Sequence, residues 1–439
     1  MTSTSAQGAT NRTIQPVTVL VLAICWATVI SDGYDVVVFG AVVPSLLQEP
    51  GWGLTPASAG LIGSLALLGM FIGSLAVGTL TDIIGRRRTL LACLIWFSVL
   101  TALCATAPSP VVFGVLRFLA GLGLGGVLPT ATALTAEYSP ARLRNVVYAV
   151  MFSGFPLGGI LAALLGVALI PTYGWRSLFV VAVLPLVLVV PVAWRFLPES
   201  VTFLLARGRR AEAEAVARRH RIALPVSDAT PEPGDPEPPR AAAVKGLFSA
   251  PYLVATLCFL ATTFLCLFTI YGMNTWLPQI MRQAGYSLGG ALAFLLVFNL
   301  GAIAGSLLVG TIADRLGSKP TLVGTFLLAA VAVSLLSLPL PPAWLYVLVA
   351  LGGVGTLGTQ TFILAFVSHH YPVWMGATAL GWTLGFGRLG SVAAPPVLGV
   401  IIGSGLAFGW NFYAVGLAAL IGAVLIALVP RSPIADAAE

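Results

Sequence analysis

Apolar stretches long enough to cross a lipid bilayer recur along the whole of this 439-residue sequence. A hydrocarbon core about 30 Å thick needs roughly 20 apolar residues per helical span. Charged residues make up only 8% of the chain, against roughly 25% in soluble domains, so they cannot cover a water-facing surface. The sequence therefore predicts an all-α polytopic membrane protein. Its twelve predicted spans, numbered in chain order, are 17–41, 57–80, 89–107, 111–136, 145–170, 177–197, 252–277, 288–313, 320–340, 342–367, 375–402 and 409–430.

The lysines and arginines are distributed unevenly between the two sides that these spans define. Of the 22, eighteen fall on the side that carries both termini and the loop between spans 6 and 7, which we call the basic side. Two fall on the opposite side, and Arg117 and Arg388 lie inside spans. Positive charge is enriched in cytoplasmic loops. We therefore expect cytoplasmic termini and a multi-pass protein of the cytoplasmic (inner or plasma) membrane. The net charge of +7 follows from this topology and does not indicate binding to nucleic acid.

An internal repeat divides the chain into two halves. The segment at 73–90, G-S-L-A-V-G-T-L-T-D-I-I-G-R-R-R-T-L, aligns without gaps on G-S-L-L-V-G-T-I-A-D-R-L-G-S-K-P-T-L at 305–322. The repeat predicts a duplicated six-helix unit, with an N-terminal bundle over 1–197, a cytoplasmic central loop over 198–250 and a C-terminal bundle over 251–439. Two parallel repeats with a central site are a known transporter architecture.

The central loop has two parts of different composition. The part at 201–221 predicts a short amphipathic helix on the membrane surface. The later stretch P-E-P-G-D-P-E-P-P-R, at 231–240, predicts a flexible linker. A regulatory or partner-binding loop is the alternative.

Four charged side chains lie inside predicted spans and more than one helical turn from the span ends: Asp32 and Asp35 in span 1, Arg117 in span 4 and Arg388 in span 11. A charge at the bilayer centre costs about 2.5–3.5 kcal/mol on insertion scales, so such residues generally face a cavity or each other. Asp32 and Asp35 share one helix face because they are three residues apart. At 1.5 Å per residue, Asp35 and Arg117 both lie roughly 9 Å from the opposite side, and Asp32 lies roughly 14 Å from it. The matching depths allow an ion pair between Asp35 and Arg117.

Two interpretations of these acids remain open. One is a purely structural ion pair between Asp35 and Arg117. The other is a proton-titrating acid that is coupled to substrate binding, with protons as the coupling ion and no other cofactor. The second aspartate favours it, because one arginine neutralises only one carboxylate and two neighbouring acids raise the proton affinity of one of them. Asp32 and Asp35 are therefore the candidate proton-coupling residues.

The repeated segment carries a family resemblance. G-T-L-T-D-I-I-G-R-R-R at 78–88 closely resembles the loop motif between helices two and three of the major facilitator superfamily. Arg117 in R-F-L-A-G-L-G-L-G-G matches that superfamily's helix-four arginine motif. The resemblance implies a rocker-switch transporter made of two pseudo-symmetric six-helix bundles.

Further motifs resemble the aromatic acid:proton symporters of that superfamily. They are D-G-Y-D in span 1, P-E-S after span 6, W-L-P in span 7, and Y-P followed by G-W…G-R-L-G at span 11. The helix-one acids and the helix-four and helix-eleven arginines of that family correspond to Asp32, Asp35, Arg117 and Arg388. One position departs from the family pattern, because Gly376 stands where an arginine is common. The departure concerns the cytoplasmic gate of the C-terminal half or the substrate class.

The substrate chemistry also follows from residue types. Two arginines inside the spans suit a carboxylate, which they can bind with charge-assisted or bidentate hydrogen bonds. A pocket for an aromatic ring needs apolar walls and a few polar contacts. The candidate binding residues are the arginines Arg117 and Arg388, the aromatic side chains Tyr34, Phe39, Phe264, Tyr271, Trp276 and Trp382, and the amides Asn274, Asn299 and Gln360.

A second group of charged residues lies at the basic side and predicts a gate. A carboxylate at Asp82, where span 2 ends, can accept hydrogen bonds from the N-terminus of a neighbouring helix. The arginines that follow can pair with acids such as Glu137. Anchoring by positive charge alone is the alternative. The candidate gate residues are Asp82, Arg86, Glu137, Arg144 and Asp314.

These observations predict proton-coupled uptake of a small aromatic carboxylic acid, such as a benzoate or hydroxybenzoate, by alternating access. A proton-coupled sugar or polyol porter, or another organic-anion porter of the same superfamily, is the closest alternative. A drug exporter fits less well, since cationic drugs need an acid-rich cavity, and a receptor that signals through the central loop stays open. The five cysteines lack metal-site spacing, and no nucleophile–base constellation is present, so we expect no metal site and no enzyme. We expect the lipid bilayer and the substrate as partners, and a functional monomer.

Overall fold

The structure, a computed structural model, describes residues 15–220 and 240–430, apart from a few side chains that include those of Asp82 and Asp314. Nearly all of the predicted Pro/Glu-rich linker lies outside these residues. Within them, twelve helical segments are long and apolar enough to cross a membrane. The prediction of an all-α protein with twelve spans is confirmed, and the chain is a multi-pass membrane protein.

The helices of the spans have the following bounds. Span 1 is Pro16–Leu46, span 2 Pro56–Ile84, span 3 Arg86–Leu103, span 4 Pro110–Tyr138, span 5 Arg144–Phe152 with Gly154–Tyr173, and span 6 Arg176–Val180 with Leu184–Phe196. Span 7 is Leu253–Gln283, span 8 Leu288–Leu316, span 9 Ser318–Leu335, span 10 Pro342–Val354 with Leu357–His370, span 11 Val373–Gly403, and span 12 Trp410–Leu428. The predicted spans match them one to one.

Local sequence signals set several of these helix starts. Span 8 begins after Ser287, whose side chain accepts a hydrogen bond from the N–H of Gly290. Span 4 begins in the same way after Ser109, with Pro110 in the first turn. Serine is a preferred N-cap, and proline fits the first helical position, where no intrahelical N–H bond is lost.

Three spans are interrupted, which the apolar pattern does not predict. Span 6 passes through a tight turn at Val181–Val183. Span 5 breaks between its two helices, and span 10 breaks at Gly355. A Cβ on Gly355 would lie 2.7 Å from the carbonyl oxygen of Thr325 in span 9. Such breaks are tolerated at membrane depth where the freed backbone is buried in protein.

The segment after span 6 differs from the prediction of one amphipathic helix over 201–221. It forms two helices, Val201–Ala206 and Arg210–His220, joined by a turn at Gly208 with φ of 71°. A residue in this left-handed conformation ends a helix, and glycine adopts it at no steric cost. Val201 and Leu204 pack against Ala213 across the turn. A third surface helix, Arg240–Leu247, precedes span 7.

The contacts within the chain define two compact units. Among the described residues, the first unit comprises 15–35, 69–158 and 176–220, and the second comprises 36–68, 159–175 and 240–430. The second unit therefore includes the ends of spans 1, 2 and 5 that lie toward the opposite side. Gly40 and Gly60 explain part of this grouping. A Cβ on Gly40 would lie 2.0 Å from the carbonyl oxygen of Asn274, and one on Gly60 would lie 2.4 Å from that of Pro395. The predicted domain boundaries stay a prediction.

Candidate functional site

A buried ion pair joins spans 1 and 4 inside the first unit. Nη1 of Arg117 donates to both carboxylate oxygens of Asp35, at 2.9 and 2.8 Å, and Nη2 donates to the backbone oxygen of Asp35 at 3.0 Å. Thr101 of span 3 donates its hydroxyl to the same carboxylate. Asp35 and Arg117 are each only 1% exposed. The pair that the matching depths allow is present.

This geometry satisfies most of the hydrogen-bonding capacity of Asp35. Removing one partner of a buried pair is strongly destabilising, by about 3–5 kcal/mol, because the other charge is left uncompensated. The third element that contacts the carboxylate, span 3, adds a neutral hydroxyl donor. Asp35 therefore connects three spans through a single side chain.

Asp32 lies one turn before Asp35 and is 0% exposed. Between them, Gly33 packs against span 5, where a Cβ would lie 2.0 Å from the carbonyl oxygen of Phe155. Tyr34 is also buried, and its hydroxyl donates to the backbone oxygen of Leu178 at 2.7 Å. Both acids of the D-G-Y-D motif are thus buried, and the tyrosine hydroxyl donates to the backbone of span 6.

Arg388 lies in the second unit, half-buried in span 11. Its Nη1 contacts the hydroxyl oxygen of Tyr271 in span 7 at 3.3 Å. Within the described residues, no carboxylate forms an ion pair with it. Trp382 lies six residues earlier in the same helix, is 43% exposed and packs edge-on against Phe248, with 5.5 Å between the ring centroids. The contact of the Arg388 guanidinium is thus an aromatic hydroxyl, and its remaining donors can bind a carboxylate.

Two amides of the second unit form a buried pair. Nδ2 of Asn299 donates to Oδ1 of Asn274 and to the carbonyl oxygen of Leu295, both at 3.0 Å. Asn274 donates to the carbonyl oxygen of Ile270 at 2.9 Å. Oδ1 of Asn299 is buried and accepts no hydrogen bond within the described residues. Gln360 is half-buried in the second helix of span 10.

The other predicted wall residues have packing contacts. Trp276 is fully buried, and its indole N–H donates to the carbonyl oxygen of Pro395 at 2.9 Å. Phe39 is buried with its ring beside Gly63. Phe264 is half-buried and packs near Phe386, with 6.0 Å between the ring centroids. Packing between spans accounts for Trp276 and Phe39.

At the basic side of the first unit, Arg86 donates to Glu137 at 2.8 Å, which confirms the predicted pair. The same carboxylate accepts hydrogen bonds from the hydroxyl of Ser200 at 2.5 Å and from the backbone N–H of Thr202 at 2.9 Å. Glu137 thus joins the end of span 4 to the start of span 3 and to the first surface helix.

Glu199 is a second carboxylate at this junction, and its role was not predicted from the sequence. It accepts hydrogen bonds from the backbone N–H groups of Arg87, at 2.9 Å, and of Ser200, at 3.0 Å. Its backbone oxygen accepts one from the hydroxyl of Tyr138 at 2.6 Å. The sequence signal for this role is an acid between the end of span 6 and a serine that caps the next helix.

The remaining gate candidates are placed only in part. Asp82 and Asp314 occupy the last turns of the helices of spans 2 and 8, and their side chains lie outside the described part of the structure. Arg144 is exposed at the first residue of span 5. The gate roles of these three residues stay predictions.

Comparison with known proteins gives both a family and relatives. The sequence model of the Major Facilitator Superfamily matches residues 25–395 and 295–438. The chain is 39% identical to the gentisate transporter of Corynebacterium glutamicum, covering 92% of this chain and 86% of that protein. It is 36% identical to the benzoate transport protein of Acinetobacter baylyi, covering 93% and 90%. It is also 36% identical to the gallate transporter of Pseudomonas putida, covering 95% and 92%.

Solved structures share the fold. The xylose transporter XylE from E. coli in its inward-open conformation is similar with a TM-score of 0.76 at 17% identity, covering 95% of this chain and 97% of that one. Its partially occluded inward-open form gives a TM-score of 0.74 at 18% identity, covering 94% and 100%. At these identities the likeness concerns the fold alone. The predicted fold, twelve spans in two pseudo-symmetric six-helix bundles, is confirmed.

Proposed function

The chain belongs to the major facilitator superfamily, and we propose that it takes up a small aromatic carboxylic acid together with protons by alternating access. Benzoate and hydroxybenzoates are the substrates we favour. The relatives that support this choice are named transporters of benzoate, gentisate, gallate and 4-hydroxybenzoate, and they align with at least 92% of this chain.

The observation that carries the proposal is Arg388. A guanidinium stays charged at all accessible pH values, so a half-buried arginine needs an acceptor. Its contact among the described residues is a tyrosine hydroxyl, at 3.3 Å. A substrate carboxylate supplies the missing negative charge, and Tyr271 and Trp382 supply aromatic surface for the ring. A sugar has no charge to offer this side chain, which argues against a sugar or polyol porter.

Proton coupling is assigned to the D-G-Y-D acids. Asp35 is held by Arg117 and Thr101, so its charge is compensated inside the first unit. Asp32 adds a second carboxylate to the same buried helix face. Binding a proton at Asp32 changes the charge of a buried site one turn from the Asp35–Arg117 pair. We assign the transported proton to this pair of acids, with Asp32 as the group that exchanges it.

The setting of this activity follows from the charge distribution and the fold. We assign the protein to the cytoplasmic membrane with both termini in the cytoplasm, which agrees with the excess of lysine and arginine on the basic side. We assign it to transport rather than to catalysis, with protons as coupling ion, no metal and a functional monomer. Within 15–220 and 240–430, no three His, Cys, Asp or Glu side chains cluster as metal ligands.

The proposal is tested in proteoliposomes with an inside-alkaline pH gradient. Labelled 4-hydroxybenzoate should accumulate, and an ionophore that collapses the gradient should abolish accumulation. Asp32→Asn should lose accumulation and keep counterflow. Retained accumulation without a gradient would exclude proton coupling, and counterflow with xylose but not with aromatic acids would exclude the proposed substrate class.

Arg388 is tested by its ligand preference. Arg388→Lys should weaken binding of 4-hydroxybenzoate, because the planar fork is lost although the charge remains. The same change should barely alter binding of 4-hydroxybenzamide, which has no carboxylate. Arg315→Lys, at an exposed position at the end of span 8, is the matched control. Equal losses for acid and amide would show that Arg388 does not bind the carboxylate.

A further inference from the structure

A cavity of about 480 Å³ opens on the basic side of the first unit and takes no part in the proposed transport site. It lies where the ends of spans 1, 2, 3 and 6 meet the two surface helices that follow span 6. Its volume falls within the range of small-molecule sites. Five arginines line it: Arg87 and Arg88 of span 3, Arg195 of span 6, Arg209 in the turn between the surface helices, and Arg219 of the second surface helix.

The two carboxylates of the cavity are already engaged. Glu212 accepts two hydrogen bonds from the guanidinium of Arg209, at 2.7 and 2.6 Å. These bonds lower the pKa of Glu212, and the charge of Arg88 lowers it further. Glu199 is bound by the backbone N–H groups described above. Five arginines thus line the cavity against two carboxylates, which leaves its lining net positive.

Several of these arginines present unused donors. Arg88, Arg195 and Arg219 form no hydrogen bond or ion pair to any residue among those described. Nε of Arg87 is buried and likewise has no acceptor within 15–220 and 240–430. Burial and the neighbouring charge of Arg219 lower the pKa of His220, which also lines the cavity. The cavity is thus an electropositive site with several free guanidinium donors.

The position of the cavity indicates the source of the anion. Leu20 lies in the second turn of span 1, and Phe196 ends span 6, so the cavity lies at the depth where acyl chains give way to headgroups. Trp194, beside Arg195 on span 6, is 65% exposed. Aromatic side chains of this kind are typical of the membrane–water interface. The apolar lining, which includes Leu20, Ile84 and Phe196, suits the glycerol and first methylenes of a lipid.

We propose that this cavity binds the phosphate headgroup of an anionic membrane lipid such as phosphatidylglycerol. Arginine forks match phosphate oxygens and bind them with paired hydrogen bonds. Clusters of basic residues beside a membrane span attract anionic lipids. A lipid phosphate held by Arg88, Arg195 and Arg219 connects span 3, span 6 and the second surface helix. The lipid thereby fastens the surface helices beside the carboxylate of Glu199.

The test uses the delipidated full-length protein in an uncharged detergent. Short-chain phosphatidylglycerol should bind and raise the unfolding temperature, whereas phosphatidylcholine, glycerol phosphate and inorganic phosphate should do so only weakly. The double variant R195Q/R219Q should bind phosphatidylglycerol about 30-fold more weakly, the effect expected for two arginines at an anionic surface. Raising the salt concentration should weaken binding, because the partly exposed charges are screened.

The matched control is the double variant R142Q/R218Q, which removes the same charge at two exposed arginines that do not line the cavity. It should bind phosphatidylglycerol as the unchanged protein does. Two further measurements separate a binding defect from misfolding. The unfolding temperature without lipid should be unchanged in R195Q/R219Q, and each of its two single variants should show a partial loss of binding. Equal binding by R195Q/R219Q and the control, or equal binding of both lipids, would overturn the proposal. If inorganic phosphate binds as tightly as phosphatidylglycerol, the ligand of the cavity is a soluble anion and the lipid proposal is wrong.

Discussion

In both copies of the internal repeat, one span ends and the next begins at a glycine with positive φ. Gly85, between spans 2 and 3, has φ of 105°, and Gly317, between spans 8 and 9, has φ of 86°. Helix Arg86–Leu103 and helix Ser318–Leu335 each start at the next residue and are 18 residues long. The repeated backbone pattern therefore gives the same local turn twice.

The surroundings of the two turns differ. A Cβ on Gly85 would lie 2.7 Å from a carboxylate oxygen of Glu199, whereas one on Gly317 would meet only Pro320, at 3.9 Å. Two carboxylates bind the start of span 3. At the start of span 9, the side chain of Lys319 donates to the backbone oxygen of Val429 at 2.7 Å. Among the described residues, the turn at Gly85 is enclosed by ionic contacts, whereas the turn at Gly317 is not.

This difference indicates where charged contacts are concentrated among the described residues. The arginines at 86–88 align with Ser318, Lys319 and Pro320, so the second copy keeps one of three positive charges. Gly376 stands where the resembled family commonly has an arginine, and a Cβ added to it would meet open space among the described residues, with nothing within 4 Å outside its own helix turn. Both copies of the repeat have thus kept the turn, while the described residues show more charged contacts at this turn in the first half than in the second.

The largest expected effect comes from filling the enclosed turn. Gly85→Ala should cost about 1–3 kcal/mol, because φ of 105° with ψ of 152° is a conformation that almost only glycine adopts. Overpacking against Glu199 should add about 1–3 kcal/mol. Gly317→Ala should cost only the first of these. Unfolding of both variants by denaturant in mixed micelles measures the difference. Equal losses would mean that the enclosure of Gly85 contributes no stability.

The next effect concerns the carboxylate that joins spans 3 and 4 to the surface helix. Glu137→Gln should lower the free energy of unfolding by about 1.5–3 kcal/mol, the usual contribution of hydrogen bonds to a charged group. Glu214→Gln, in an exposed pair with Arg210, is the matched control and should change it by less than about 1 kcal/mol. A loss at Glu137 no greater than at Glu214 would remove this junction as a stabilising contact.

Asp82 and Asp314 occupy equivalent positions in the two copies of the repeat, so their variants compare the two junctions in transport. Asp82→Ala should slow uptake about tenfold, equivalent to ~1.4 kcal/mol. The reason is that the junction of spans 2 and 3, in the copy of the repeat with more charged contacts, loses an anion. Asp314→Ala should slow it less. Equilibrium binding of the substrate, measured by calorimetry, should be nearly unchanged in both variants. Loss of binding in parallel with uptake would argue against a gate role for Asp82.

The smallest effect distinguishes the contribution of the Arg87 side chain from that of its backbone N–H. Arg87→Gln and Lys319→Gln each remove one side-chain donor to a backbone oxygen, so each should cost about 0.5–1.5 kcal/mol without added lipid. The two losses should be similar, because Glu199 is bound by the backbone N–H of Arg87 and not by its guanidinium. A much larger loss at Arg87 would show that its side chain, too, holds the junction.

Several features were predictable from residue order alone. The spans follow from the apolar stretches because lipid leaves the backbone no partner outside its own helix. The Asp35–Arg117 pair follows from depth, because intramembrane charges at one level are driven toward each other. Arg86 and Glu137 were predictable as partners from opposite charge at the same side of the membrane.

Other features depend on contacts between residues far apart in the chain. Glu199 binds an N–H group that is 112 residues away, and nothing in the local sequence specifies that partner. The break at Gly355 follows from the close approach of span 9. The surface segment became two helices because Val201 and Leu204 find Ala213 across the turn at Gly208. An apolar pattern indicates that a residue is buried, but it does not indicate which residues pack against it.

The D-G-Y-D acids show the same division at the site itself. The sequence determined that two carboxylates share one face of span 1 at a depth where a charge needs compensation. Only the tertiary structure decided that Arg117 and Thr101 both reach Asp35, one turn from the equally buried Asp32. The reason is geometric. Spacing along one helix sets the depth and the face of each carboxylate. Which carboxylate Arg117 and Thr101 bind depends on how spans 3 and 4 pack against that helix, within a few ångströms.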